Sequence, residues 1–159
     1  MPATYEPIFT VGPLTSTQLT ITFTSIPATY TDLVLEVNAA VNPQSVSILR
    51  VNGDTGSNYS RTYMQGGLAA FAGSRTTNDD RMYVNLAPSL PAISTTHFMN
   101  YTSTSIYKTI LQMDQSYNSG SIMTGYLWRN TAAINQISIE GGSVHLVGST
   151  FTLFGIKAA

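Results

Sequence analysis

Leu19-Thr20-Ile21-Thr22-Phe23-Thr24 alternates apolar and hydroxyl side chains in strict period two. Successive side chains of an extended chain point to opposite faces, so Leu19, Ile21 and Phe23 share a core face and the threonines look outward. The pattern returns in Leu33-Val34-Leu35-Glu36-Val37 and in Ser45-Val46-Ser47-Ile48-Leu49-Arg50-Val51. Asn52-Gly53 then supplies a short hairpin signal, because both central residues of a type I′ turn need positive φ, and a β meander is expected here.

Further strands are expected at 82–86, 97–101, 107–113, 122–128, 134–140 and 150–156. They are separated by Pro88 and Pro91, Ser116–Gly120, Asn130-Thr131 and Gly141-Gly142-Ser143. Turn signals about every eight to twelve residues, with no amphipathic helical stretch between them, select an all-β chain over α/β topologies. The expected fold is an antiparallel β-sandwich, jelly-roll-like, of about ten strands. Gln65-Gly66-Gly67-Leu68-Ala69-Ala70-Phe71-Ala72-Gly73-Ser74 is small and glycine-rich without either periodicity, so 64–80 reads as a long exposed loop. No repeat, coiled-coil heptad or collagen-type glycine period is present. The 159 residues fit one domain. The division expected is an extended amino-terminal arm, 1–17, followed by a single sandwich, 18–159.

Charge decides which functions such a wall can serve. Only 9% of residues are charged and the net charge is −1, whereas 17 Ser and 22 Thr carry the polarity. Nucleic acid and anionic membranes need clustered cations, so neither is an expected partner. No run of about 18 apolar residues occurs, and Met1–Pro7 lacks the basic start and apolar core of a signal peptide. With no Cys there is no disulfide, thiolate nucleophile or thiolate metal site. So few ionisable groups also predict stability that responds little to moderate salt, or to pH between mildly acidic and neutral.

The residues that bear chemistry are sparse. His97 and His145 lie far apart, with no carboxylate at a metal-ligand spacing and no nucleophile-elbow motif nearby. A glycosidase needs two facing carboxylates, which strand pairing rather than sequence would bring together; the eight carboxylates read instead as solvated or strand-edge charges. Asn52–Asn58 is oxygen-rich but lacks the spaced acids of a calcium loop and reads as a plain turn. Asp79-Asp80, between Arg75 and Arg81, reads as a surface ion-pair cluster. No enzyme activity, cofactor or metal is expected. Tyr59, Tyr63, Tyr101, Tyr107, Tyr117 and Tyr126 sit near expected strand ends, where a buried ring with its hydroxyl on a loop is the default. Trp128 is a candidate sugar-stacking or interface residue, with a core position the plainer reading. Tyr5, Pro7, Ile8 and Phe9 of the arm, and Phe71, are the other interface candidates.

Tyr5-Glu6-Pro7-Ile8, Ser25–Leu33 and Val51–Ser60, followed by Tyr107–Leu111, Leu127–Asn135 and Ser149–Ala159, resemble virion proteins of tailed bacteriophages. The resemblance spans nearly the whole chain except 65–77, and its motifs are turns and strands without chemistry. It implies a non-enzymatic β-sandwich on a virus particle, made in the host cytoplasm. Without a coiled-coil or triple-helical shaft, a head decoration (cement) protein on the capsid surface is the first expectation. Its partners would be the major capsid protein and copies of itself, as a homotrimer, because capsid lattices offer three-fold junctions. The alternative is a tail or fibre module that binds host-surface glycan, and beyond it an unrelated carbohydrate-binding or enzymatic domain.

Overall fold

The computed structural model describes residues 4–43, 46–66, 71–116 and 120–157. Among these the chain is all-β, with thirteen strands and no helix. They are β1 (Tyr5–Val11), β2 (Gln18–Phe23), β3 (Asp32–Asn42), β4 (Val46–Val51), β5 (Tyr59–Gly66), β6 (Phe71–Asp79) and β7 (Met82–Asn85). After them come β8 (Ala87–Pro88), β9 (Ala92–Phe98), β10 (Lys108–Ser116), β11 (Gly120–Trp128), β12 (Ile137–His145) and β13 (Thr150–Ile156).

Eight strands pair antiparallel in the order β1-β13-β3-β9-β10-β11-β5-β6. Four more form a smaller antiparallel sheet, β2-β12-β4-β7. The long β3 joins the two: its first part lies in the large sheet, and Val41 and Asn42 reach His145 and Val144 of β12. The dipeptide strand β8 runs parallel beside its end.

One core lies between the sheets. Leu33, Leu35, Val37, Phe98, Ile110, Trp128, Phe151 and Leu153 come from the large sheet, and Ile21, Phe23, Leu49, Val51, Met82, Ile137 and Ile139 from the small one. Alternation explains the assignment, since these residues occupy every second position along their strands. The antiparallel sandwich expected from periodicity is therefore observed. The eight-and-four division differs from the double Greek key of a jelly roll.

Four local expectations are corrected. Asn52 and Gly53 do take positive φ, 51° and 63°, and Asp54 N–H closes the turn on Val51 O at 3.0 Å. The turn passes the chain from β4 in the small sheet to β5 in the large one, so it closes no hairpin, and β2, β3 and β4 are not sheet neighbours. Much of the expected loop 64–80 is strand: β5 and β6 pair from Tyr59 and Asp79 to Gly66 and Phe71. Gly141-Gly142-Ser143 lies inside β12, where the pairing register shifts, and does not end the strand. The strand expected at 97–101 runs instead over Ala92–Phe98, and Asn100, with φ 49°, turns the chain after it.

The amino-terminal segment is not a free arm. β1 pairs along its length with β13 as an edge of the large sheet, with a register shift between Pro7 and Phe9. Ile8, Phe9 and Val11 pack against the core.

Candidate functional site

The outer face of the large sheet carries the most unusual surface. On a sheet exposed to water on one side, the outward positions are ordinarily polar. Here Met113, Met123 and Met64 are direct register partners on β10, β11 and β5. Their row continues to Thr95 and Glu36 on one side and to Gly73 on the other. The three methionines are each about half exposed, at 53%, 48% and 47%. Ile93 and Leu111 are exposed on the same face.

Small residues leave the methionines standing clear. Gly125, between Leu111 and Thr62 in the adjoining row, has Leu111 Cδ2 3.9 Å from where a Cβ would sit. A shallow depression of about 220 Å³ is lined by Met64, Met113, Ser121 and Met123. In these two rows Glu36 on β3 and Arg75 on β6 carry charge, and His97 on β9, beside Leu111, pairs with Asp32. Thioether side chains are flexible and polarisable, and a contiguous exposed apolar patch on a soluble surface marks a contact site.

The expected interface residues fall in different places. Tyr5 is exposed and lies edge-on to Phe154, with ring centroids 6.3 Å apart. Pro7 is exposed beside it on the same edge strand. Ile8 and Phe9 are partly buried, and the Phe9 ring lies 6.0 Å from that of Phe23. Phe71 opens β6, and its side chain lies outside the described residues. Trp128 is 1% exposed, which removes it from sugar stacking and docking. Its indole N–H donates to Asp54 Oδ2 at 2.7 Å, because a buried indole needs an acceptor.

The same contact explains the oxygen-rich turn. Asp54 also accepts from Gly56 N–H at 2.8 Å and from the Asn58 amide at 2.9 Å. Burial opposes ionisation of this carboxyl, but the donors from Trp128, Asn58 and Gly56 together hold it below the usual carboxylate range. Asn52 fastens the turn to the chain before β12 through Ala133 O and the amides of Asn135 and Gln136.

Tyr59, Tyr101 and Tyr126 are buried rings with hydroxyls on backbone groups, as their positions suggested. Tyr107 is exposed, Tyr63 is half-buried, and Tyr117 lies outside the described residues. In the expected ion cluster Asp80 pairs with Arg81 at 2.5 Å, and Asp79 pairs with Arg61 at 3.3 Å. Arg75 takes no place there, because it projects from the outer face of β6, opposite Thr62.

Neither histidine sits in a reactive cluster. His145 is fully buried, its Nε2 3.1 Å from Ser47 Oγ and its Nδ1 3.2 Å from Gln18 O. The carbonyl fixes Nδ1 as the protonated nitrogen, so Nε2 accepts from the serine. Burial lowers the His145 pKa and outweighs the Gln18 contact. Ser47 is equally buried, so this Ser–His contact holds β4 to β12. His97 Nε2 lies 3.0 Å from Asp32 Oδ2, and Asp32 Oδ1 accepts from Asn100 N–H at 2.7 Å, which ties the end of β9 to β3. Among the described residues no three His, Asp or Glu side chains gather as a metal site.

The methionine row was missed in the sequence because its members are 10 and 49 residues apart and meet only through strand pairing. One signal was available: Leu111 and Met113 alternate with Ile110, Gln112 and Asp114, so if the polar pair is not left in solvent the strand must turn its apolar residues outward, the reverse of an ordinary sandwich strand. No family model matches the chain, and no curated protein or solved structure matches it either.

Proposed function

We propose that this chain is a non-enzymatic structural module of a tailed-phage virion, and that it docks through the outer face of its large sheet. The observation that carries the reading is the Met113–Met123–Met64 row, an exposed apolar strip on the outer face of the large sheet. A flat face of this kind fits another flat protein surface, and it gives no convergent set of acid, base and nucleophile for catalysis. The sequence likeness to tailed-phage virion proteins supplies the setting. The reading is a head decoration protein that clamps the major capsid protein as a homotrimer, so that each weak contact is multiplied by avidity.

The test mixes purified chain with expanded empty heads of the phage that encodes it, then follows co-sedimentation and head survival on heating. Saturable binding at a fixed ratio to capsid subunits, with heads surviving hotter, is expected. A chain that ignores heads and partitions to tails, or to host-cell polysaccharide, overturns the decoration reading.

A further inference from the structure

The large sheet is wider than the small one. The small sheet ends at β7 and the large one overhangs it: the inner face of β11 is still buried at Ile122, Thr124 and Tyr126, whereas beyond it on β5 Arg61, Tyr63 and Gln65 are only half-buried, with no further strand over them among the described residues. The surface there mixes hydrogen-bonding side chains with the apolar Ile122, Val46 and Ile48. Arg61, Tyr63 and Gln65 face inward from β5 and are half-buried, and Thr124 and Tyr126 are their register partners or neighbours on β11.

Two hollows meet there. One, of about 160 Å³, is lined by Arg61, Tyr63, Gln65, Asn85, Thr124 and Tyr126. The other, of about 480 Å³, lies around the edge of β7 against Arg61, Arg81, Tyr83 and Asn85. Arg61 and Asn85 border both, so the two hollows adjoin as neighbouring parts of one surface cleft, the larger within the size range of small-molecule sites. The Arg61 guanidinium lies 4.5 Å above the Tyr83 ring and 5.6 Å from that of Tyr63, which fixes three planar groups at the cleft wall.

The chemistry of the wall narrows the ligand. Arg61 is neutralised by Asp79 and Arg81 by Asp80, so the cleft has no surplus positive charge for a phosphate or carboxylate. Its polar groups are amides, hydroxyls and paired guanidinium groups beside aromatic faces. That combination recognises vicinal hydroxyls and the apolar face of a pyranose ring. Behind the wall the inward-facing row stays polar: Tyr63, Thr124, Gln112 and Thr96 are successive register partners, the last two buried in the core outside both hollows. At its buried end Gln112 Oε1 and Thr96 Oγ1 have no hydrogen-bond partner among the described residues. Asn85 is pinned from behind, donating to Asp114 Oδ2 at 2.6 Å, while Gln112 donates to Asp114 Oδ1 at 2.7 Å. The wall is thus held in place before any ligand arrives, which lowers the cost of binding.

We infer that this overhang cleft binds a neutral saccharide, with Tyr63 and Gln65 as its principal contact residues. The site lies on the opposite face of the large sheet from the methionine row, so docking and sugar binding do not compete. The inference does not depend on where in a particle the chain sits.

The full-length chain is applied to a printed array of neutral and acidic bacterial and mammalian glycans. Each glycan bound is then titrated against 15N-labelled protein while the side-chain amides of Gln65 and Asn85 are observed. Saturable binding to at least one neutral glycan is expected, with shifts at both amides and a loss of affinity of tenfold or more in Tyr63→Ala. Gln65→Ala, at a half-buried position, serves as the second variant should Tyr63→Ala unfold, and the same loss is expected. Absence of binding to every glycan overturns the inference. Preference for sulfated or phosphorylated glycans, or affinity unchanged in the folded variants, overturns it as well.

Discussion

The hydroxyl of Tyr126 lies 3.2 Å from the amide nitrogen of Tyr83 and 3.2 Å from its carbonyl oxygen, accepting from one and donating to the other. β7 has a strand partner on one side only, and on the other a side chain of the large sheet takes the place of a neighbouring strand. Gln112 donates to the same carbonyl at 2.6 Å, and Asp114 Oδ2 accepts from Asn85 N–H at 3.3 Å. Three buried polar residues therefore finish an open edge inside the sandwich, where unpaired backbone groups are costly. Burial raises the Tyr126 pKa to about 12, so the hydroxyl stays protonated and can donate throughout the neutral range.

Tyr126→Phe is expected to destabilise the fold by about 1–2 kcal/mol, because it removes the acceptor of the part-buried Tyr83 N–H. Gln112 still serves the carbonyl, so the loss stays within one group's desolvation. Urea unfolding with an unchanged slope and a lower midpoint is the expected record. An unchanged midpoint would show that β7 does not rely on this hydroxyl.

Gly155 is the position where a single methyl has no room. A Cβ there would sit 2.4 Å from two atoms of the Tyr30 ring. Tyr30 is held over the glycine by its hydroxyl, which donates to Glu6 Oε2 at 3.1 Å, and by Lys157, whose Nζ lies 5.5 Å from the ring centre. Gly155→Ala should cost about 1–3 kcal/mol as overpacking. In a double-mutant cycle, Tyr30→Ala plus Gly155→Ala should cost less than the sum of the two single changes. Strict additivity would contradict the contact.

The expected indifference to mild acid needs one amendment, because His145 is buried in its neutral form. Its folded pKa lies below 6.5, chiefly through burial. Between that lowered value and 6.5 the unfolded chain binds a proton that the folded chain refuses, so stability falls as pH falls through this window. The slope is at most about 1.4 kcal/mol per pH unit for one group. Asp114 works in the opposite sense: burial raises its pKa above 3.8 against the hydrogen bonds of its neighbours, so its contribution is lost as pH rises through the raised value. Melting temperatures compared between wild type and His145→Gln from pH 7.5 to 5 isolate the histidine. The wild type should lose stability on acidification and the variant should lose less. Parallel curves would refute the assignment.

How far the fold could be read from the sequence depended on how one-sided each strand is. Ile21 and Phe23 on β2, and Leu33, Leu35 and Val37 on β3, were legible because they repeat with the period of two on the core face; Leu19, expected with them, is 55% exposed at the start of its strand, and Val34, expected outward, is buried. β6 was illegible because it lies at the overhang, where Ala72, Gly73, Ser74 and Arg75 are exposed on both faces and no period arises. β1 was hidden by its register shift near Pro7, which breaks alternation. Trp128 shows the limit of residue type as evidence, since its indole is spent on Asp54 inside the core. Neither the methionine row nor the overhang cleft is local in sequence, so only strand pairing assembles them.

The docking face is tested most directly by placing charge on it. Met113→Lys with Met123→Lys changes two half-exposed side chains, and Thr20→Lys, exposed on β2 of the small sheet, is the control. All three proteins should unfold at similar urea concentrations, because no core residue is altered. In co-sedimentation with expanded heads, the account predicts that the control binds like wild type and the double variant loses at least tenfold in affinity. Equal binding by the folded double variant would contradict the assignment of the methionine face as the docking surface.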